Sequence, residues 1–115
     1  MQNEPQAWQV GILDEALEDI DRLALFFSET GDGERSAANF RLAVKKTLDS
    51  LSTFPRMHTM WEDRDTVRRI DMSTHSVAFI YRIEDDELEV IAVAAFHTLN
   101  DPKKYQELIS NRLEM

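Results

Sequence analysis

Two groups of basic and aromatic residues are the part of this sequence that could do chemistry. Arg68 and Arg69 stand together, Tyr81 and Arg82 follow later, and His97 comes before a short polar segment. Paired arginine N–H donors bind phosphates and carboxylates, and histidine can transfer a proton near neutral pH. The residues therefore predict a site for a phosphate or an acidic peptide.

A second interpretation of the same arginines is structural. Acidic residues lie close to them in the sequence at Asp65, Asp71 and Glu84. Ion pairs with these acids at the protein surface would use the arginines without any ligand. The sequence leaves both interpretations open.

Several other classes of chemistry are excluded by residue type and spacing. The chain has no cysteine, which excludes a thiol nucleophile, a disulfide and a thiolate metal site. His58, His75 and His97 fall in three different predicted elements, without the spacing of a helix-borne metal site. No phosphate-binding loop, dinucleotide fingerprint or nucleophile elbow is present. We therefore expect no metal and no cofactor.

Charge is unevenly distributed along the chain, whose net charge is −9. Residues 1–34 hold one base against nine acids (−8), residues 35–82 nine against five (+4), and residues 83–115 three against eight (−5). Nucleic-acid binding rests mainly on phosphate neutralisation, so the overall charge argues against direct binding to nucleic acid. The basic middle third predicts a local face for an acidic partner, and ordinary solvated charge is the alternative.

The spacing of apolar residues indicates one domain that begins with a strand and two helices. Residues 8–12 alternate between apolar and polar, which predicts a strand. Apolar residues then recur at three- and four-residue steps over 14–30 and 34–53, with glycines between, which predicts a helical hairpin. Asp14 is predicted to cap the first helix, Phe40 to face the sheet from the second, and Pro55 to end the second.

The rest of the chain is rich in β-forming residues. Strands are predicted over 66–72, 76–84 and 88–97, while Met57–Asp65 is predicted to be a loop and Asp101–Pro102 to start a last helix. The predicted fold class is α+β: a helical hairpin packed on a small, mainly antiparallel four-stranded sheet. The predicted order is β-α-α-β-β-β with a short C-terminal helix, in a single domain over residues 1–115. No apolar run is long enough for a membrane span and residues 1–6 have no leader pattern, so we expect a cytoplasmic protein with no membrane partner.

Several short sequence motifs, in a particular order along the chain, are similar to those of a known family. They are Leu13–Ile20, Leu51–Pro55, Val67–Ile70, Phe79–Asp86, Val90–Val93, and Phe96–His97 with Asp101–Pro102. Together with the order of elements, they resemble the RelE/ParE family of bacterial toxin–antitoxin toxins over about residues 8–105. The resemblance implies a plasmid-stabilisation type toxin that is neutralised by a cognate antitoxin.

Two branches of that family differ in target. The RelE-like branch cleaves messenger RNA on the ribosome and carries an arginine three residues before an aromatic on the penultimate strand. With Tyr81 as the aromatic, Ala78 takes the place of that arginine, and the basic pair ending the last strand is represented only by His97 and Thr98. These departures favour the ParE-like branch, whose members poison DNA gyrase. The alternatives are a RelE-like endoribonuclease with Arg69, Tyr81 and His97 as catalytic residues, and a non-toxic interaction module.

Antitoxin segments of this family are short and order on docking, so they need apolar anchors and complementary charge. Leu25 and Phe26 widen the apolar stripe of the first helix beyond the needs of one sheet face. Basic residues of the middle third would supply the charge. The predicted partner-binding residues are Leu25, Phe26, Arg41, Lys45, Arg68, Arg69 and Arg82. A homodimer is left open.

Overall fold

A mixed β-sheet with helices packed on both faces forms the centre of the molecule. The structure is a computed structural model that describes residues 7–100 and 103–114. The strands are β1 (Gln9–Ile12), β2 (Thr59–Trp61), β3 (Arg64–Asp71), β4 (Val77–Glu84) and β5 (Glu89–His97). The helices are α1 (Asp14–Thr30), α2 (Glu34–Asp49) and α3 (Lys103–Leu113), and single turns of 3₁₀ helix lie at Ser50–Ser52 and Pro55–Met57. The strands are arranged in the order β1-β5-β4-β3-β2.

The sheet has five strands rather than the four predicted, and it is mixed, with one parallel pair where a mainly antiparallel sheet was predicted. The additional strand, β2, lies inside the stretch predicted as a loop and pairs antiparallel with β3. Glu62 and Asp63 make the tight turn between them, both with positive φ, where glycine or asparagine usually stands. The sequence therefore carried no hairpin signal there. β1 pairs parallel with β5, whereas the other neighbours are antiparallel.

The helical hairpin covers one face of the sheet, as predicted. Phe40 of α2 is completely buried there, in a cluster that includes Phe79 and Tyr81 of β4. Ile80, between those two residues, belongs to a cluster on the opposite face. Both faces of β4 are therefore buried, which explains why its sequence does not alternate between apolar and polar residues.

α3 covers the second face of the sheet. Its Ile109 is completely buried and packs in one cluster with Ile80 of β4 and with Ala94 and Phe96 of β5. The ring of Tyr105 stacks on Phe96 with the ring centroids 4.8 Å apart. The C-terminal helix is thus part of the core, a position that its short apolar pattern did not predict.

A buried ion pair joins α1, β5 and α3 at the sheet edge. β1 pairs with β5 only as far as Ala92, so no strand covers the edge of β5 beyond that point. There Asp19 accepts a hydrogen bond from the Ala95 N–H at 3.1 Å, and Arg112 donates to the Val93 carbonyl at 3.0 Å. Arg112 also donates to both carboxylate oxygens of Asp19, at 2.6 and 3.2 Å. The pair thus provides hydrogen-bond partners for the backbone N–H and carbonyl of β5 that a longer β1 would have paired with.

The predicted element boundaries hold to within a few residues, with two differences in the hairpin. Leu13 is the residue that precedes α1, so Asp14 is not the cap but an acid in the first turn, where it favours the helix dipole. α2 ends at Asp49, and its predicted last turn is 3₁₀ helix instead. The predicted start of the last helix at Asp101–Pro102 lies outside the described residues. Within residues 7–100 and 103–114, no helix has the length and apolar character needed to cross a bilayer.

Removing the Phe40 ring should create a large cavity beneath the hairpin. We expect Phe40→Ala to lower the free energy of unfolding by about 3–5 kcal/mol, measured by chemical denaturation. Leu42→Ala, on the exposed side of the same helix, should change it by less than about 0.5 kcal/mol. Equal, small changes in the two variants would mean that α2 is rotated from the orientation described.

Breaking the buried ion pair should also destabilise the fold. Arg112→Ala leaves the Asp19 carboxylate buried without its main partner, and we expect a loss of about 3 kcal/mol in unfolding free energy. Arg22→Ala is the matched control, because Arg22 binds the same carboxylate from a mostly exposed position, and should cost less than about 1 kcal/mol. If Arg112→Ala cost no more than Arg22→Ala, the end of α3 would not be docked in solution.

Candidate functional site

A notch lies between the two helices of the hairpin and the edge strand β1. Its volume is about 250 Å³. Side chains from all three elements line it: Val10, Ile12, Leu17, Ile20, Arg41, Val44, Lys45, Leu48 and Asp49. The buried residues Ile20, Val44 and Leu48 form its floor, while Ile12 and Leu17 stay partly exposed at its rim. The notch thus offers an apolar surface that nothing in the described chain covers.

Two predicted partner-binding residues, Arg41 and Lys45, stand at the rim of this notch. Arg41 pairs with Asp21 of α1 at 3.0 Å, and Lys45 pairs with Asp49 at 2.7 Å. All four side chains are at least half exposed, so both ion pairs are weak and exchangeable. The bases can therefore turn to the carboxylates of a partner at little cost.

Phe26 opens onto a different cleft, on the other side of α1. This cleft, of about 500 Å³, lies between α1, the end of β5 and α3. The Phe26 ring is 46% exposed and meets the His97 ring edge-on at 5.9 Å between centroids. Leu25, 60% exposed, lines neither the notch nor the cleft. One residue along a helix is a rotation of about 100°, so two neighbours in sequence do not share one surface.

The arginines of the sheet are held by neighbouring acids, as the structural interpretation proposed. Arg69 binds Asp71 at 2.7 Å and its guanidinium lies 5.5 Å from the centre of the Phe96 ring. Arg82 binds Glu84 at 2.8 Å. Both remain partly exposed at their charged ends.

Arg68 has a purely structural set of contacts. Its guanidinium donates to the carbonyls of Arg56, His58 and Asp65 and to the Asp65 carboxylate, and its side chain is only 12% exposed. It ties the segment before β2 to β3. An arginine committed to four acceptors in this way is not available to a partner.

Tyr81 lies in the core beneath the hairpin. It is completely buried, and its hydroxyl donates a hydrogen bond to the Pro55 carbonyl. Burial raises the pKa of Tyr81 to about 12. Its hydroxyl is therefore held as a hydrogen-bond donor and does not reach the surface. Ala78 is also completely buried, in the cluster that packs against α3.

His97 sits at the end of β5, with part of its side chain accessible. Its Nδ1 accepts a hydrogen bond from the Leu99 N–H at 3.2 Å, and its ring packs on Phe26 and Phe27. Of the three candidate catalytic residues, Arg69 thus lies with Phe96 on the face that α3 covers, whereas His97 and Tyr81 lie on the hairpin face. The structure does not bring the three together.

Sequence reasoning missed two contributors to these surfaces. Leu17 was counted only as part of the core-facing stripe of α1, yet it is 46% exposed and lines the notch. Arg56 was not singled out, although it binds both carboxylate oxygens of Asp85 and holds the pKa of that carboxyl below its usual range. Its position in a segment of irregular pattern gave no signal. No cluster of three metal-ligating side chains occurs among the residues that the structure describes.

The chain is similar in sequence to a protein family and in structure to several solved proteins. The family model described as the ParE toxin of type II toxin–antitoxin system, parDE, matches residues 10–102. No curated protein sequence matches the chain significantly. Solved structures of RelE toxins share the fold. A mutant of Escherichia coli toxin RelE in the free state has a TM-score of 0.63 at 15% identity, over 94% of this chain and 96% of that one.

Two further similar structures are toxin–antitoxin complexes. The RelE mutant in complex with an antitoxin RelBc peptide has a TM-score of 0.62 at 16% identity, covering 89% of this chain and 94% of that one. The RelBE2 complex from Mycobacterium tuberculosis has a TM-score of 0.57 at 17% identity, covering 84% and 98%. At these identities the structures establish the fold alone, whereas the family model spans most of the sequence. The chain belongs to the RelE/ParE family and is a toxin of a type II toxin–antitoxin system.

Proposed function

We propose that this toxin is ParE-like, acts on DNA gyrase and is neutralised by a cognate antitoxin. Support comes from the family model, whose description is the ParE toxin, and from the residues that differ from the RelE-like branch. The observation that carries the choice is the burial of Tyr81 and Ala78. RNA cleavage by attack of the 2′-hydroxyl needs exposed groups that stabilise charge and move protons. At these two positions the chain presents a core tyrosine and a core alanine instead.

The target is tested by supercoiling assays with purified gyrase. The chain should inhibit supercoiling in proportion to its concentration, and prior incubation with the antitoxin should relieve the inhibition. The variant Arg69→Ala/His97→Ala should inhibit gyrase to the same extent as the unmodified chain, because neither residue has a proposed role in gyrase inhibition. Absence of inhibition by folded chain would reject the proposal.

A RelE-like endoribonuclease is the second candidate. It is favoured by Arg69 and His97, whose side chains each remain partly accessible. It would have to work without a surface tyrosine at position 81. Mapping of messenger 5′ ends after induction separates the candidates, since cleavage that disappears in Arg69→Ala/His97→Ala indicates the nuclease. Normal growth, with neither cleavage nor DNA damage at a good folded yield, would indicate the non-toxic interaction module.

We further propose that the antitoxin docks in the notch between α1, α2 and β1. An antitoxin segment that orders on binding gains affinity from apolar anchors, and the notch supplies Ile12, Leu17 and a buried floor. Arg41 and Lys45 at its rim fit an acidic segment. Leu25, Phe26, Arg69 and Arg82 lie outside the notch and would contact only a segment that extends beyond it.

Binding of the antitoxin, taken as the product of an adjacent short reading frame, tests this site. Leu17→Asp should weaken the Kd by about thirtyfold, close to 2 kcal/mol, as loss of an interface anchor does. Arg41→Glu should mainly slow association and reduce its salt dependence, as rim charges do.

Phe26→Asp is the matched control, since Phe26 is as exposed as Leu17 but opens onto the other cleft. Its Kd should stay close to that of the unmodified chain. If Phe26→Asp weakened binding and Leu17→Asp did not, the antitoxin would occupy the cleft between α1 and α3.

A further inference from the structure

The outer face of the hairpin, turned away from the sheet, has a division of charge between its two helices. α1 contains six acidic residues and one basic residue, a net charge of −5, whereas α2 contains four basic and two acidic residues, a net charge of +2. Helices of opposite charge lying side by side attract each other, but here only Arg41 and Asp21 form an ion pair between them. Asp19 is buried against Arg112, and most of the other charged side chains of the two helices are exposed.

Glu18 of α1 and Lys46 of α2 are examples of that outward charge. Both are exposed, and neither has an ion-pair partner within the described parts of the chain. The buried residues of the two helices, such as Ile20 and Val44, lie on the opposite sides. The hairpin thus presents an acidic ridge beside a basic ridge, with charges available to a partner.

Exposed leucines accompany these charges. Leu25 of α1 is 60% exposed and Leu42 of α2 is 55% exposed. By helical geometry both point directly away from the buried stripes of their helices. Two exposed leucines on the outer face of the hairpin would gain apolar contacts from a protein partner.

We propose that this outer hairpin face binds the same face of a second copy of the chain. A two-fold axis parallel to the helices would set α1 of one copy over α2 of the other, at the same height along the hairpin. Acid would then meet base twice, as the isologous symmetry of such a dimer requires. A two-fold axis across the helices would instead set α1 over α1, with like charges opposed. Charge complementarity therefore selects both the partner and the arrangement.

The same arrangement pairs the exposed residues. The contact between Asp21 and Arg41 fixes the relative height of the two helices. At that height, Glu18 lies within about one helical turn of Lys46 in the facing copy, and Leu25 lies about one and a half turns from Leu42. The dimer would bury these leucines and neutralise the unpaired charges.

The size of the face predicts a weak association. A 16-residue helix is about 24 Å long, and two helices side by side are about 20 Å wide. This footprint is smaller than the roughly 800 Å² that each partner contributes to a stable complex. The dimer should therefore dissociate on dilution. The notch for the antitoxin opens beside this face and shares with it the rim bases Arg41 and Lys45. Because Glu18 and Lys46 do not line the notch, their variants test the dimer separately from antitoxin binding.

Sedimentation velocity over a concentration series of the full chain tests the dimer. The average mass should rise toward twice the chain mass. Glu18→Lys and Lys46→Glu should each weaken association by about tenfold, because each creates two like-charge contacts across the symmetric interface. The double variant Glu18→Lys/Lys46→Glu should restore it. Glu87→Lys and Lys104→Glu, which make the same charge changes elsewhere on the surface, should have no effect.

Each other outcome overturns the proposal. A monomer at all concentrations excludes self-association. If neither charge reversal changes the strength of dimer association, the dimer uses another face. Weakening by the single variants without restoration in the double variant excludes the arrangement of α1 over α2. Circular dichroism of each variant confirms that the exposed substitutions leave the fold intact.

Discussion

The buried carboxylate of Asp19 holds together parts of the molecule that are far apart in the sequence. Asp19 lies on α1, one of the two helices of the hairpin. Its carboxylate accepts hydrogen bonds from the β5 backbone and from Arg112 near the end of α3. An ion pair this deeply buried costs desolvation energy, which only good geometry offsets. Here it also satisfies edge groups that β1 leaves uncovered. The positions of both helical layers depend on it.

Because α1 crosses the sheet at this edge, it separates two surfaces. On one side lies the notch with β1 and α2, and on the other lies the cleft with α3. The notch is apolar with a basic rim, whereas the cleft is lined by the Asp19 carboxylate and the ring of His97. A toxin must recognise both an antitoxin and a target. Under the proposed function the antitoxin occupies the notch, and the cleft is a second surface of different chemistry on the same small domain.

The arginines of the sheet show how an acidic protein uses its few basic residues. Arg68 and Arg56 bind backbone carbonyls and acids that organise the irregular segment before β2. Arg69 and Arg82 each bind an acid two positions further along the same strand. These contacts stabilise the sheet. On α2, by contrast, Arg41 and Lys45 are exposed to solvent and form only weak, exchangeable ion pairs. The charge pattern therefore favours recognition of acidic protein segments over binding of nucleic acid.

The sequence by itself determined the hairpin, the three long strands and the burial of Phe40, because apolar spacing records which face of an element is covered. The family followed from phrases that span the whole domain. Only the tertiary structure decided that Tyr81 is a core residue, that Leu25 and Phe26 lie on different surfaces, and that β2 exists. Local sequence does not say what packs on a strand's second face, and α3, which covers it, comes last in the chain. The pairing of Asp19 with Arg112 had no sequence signal, since each residue alone resembles ordinary surface charge.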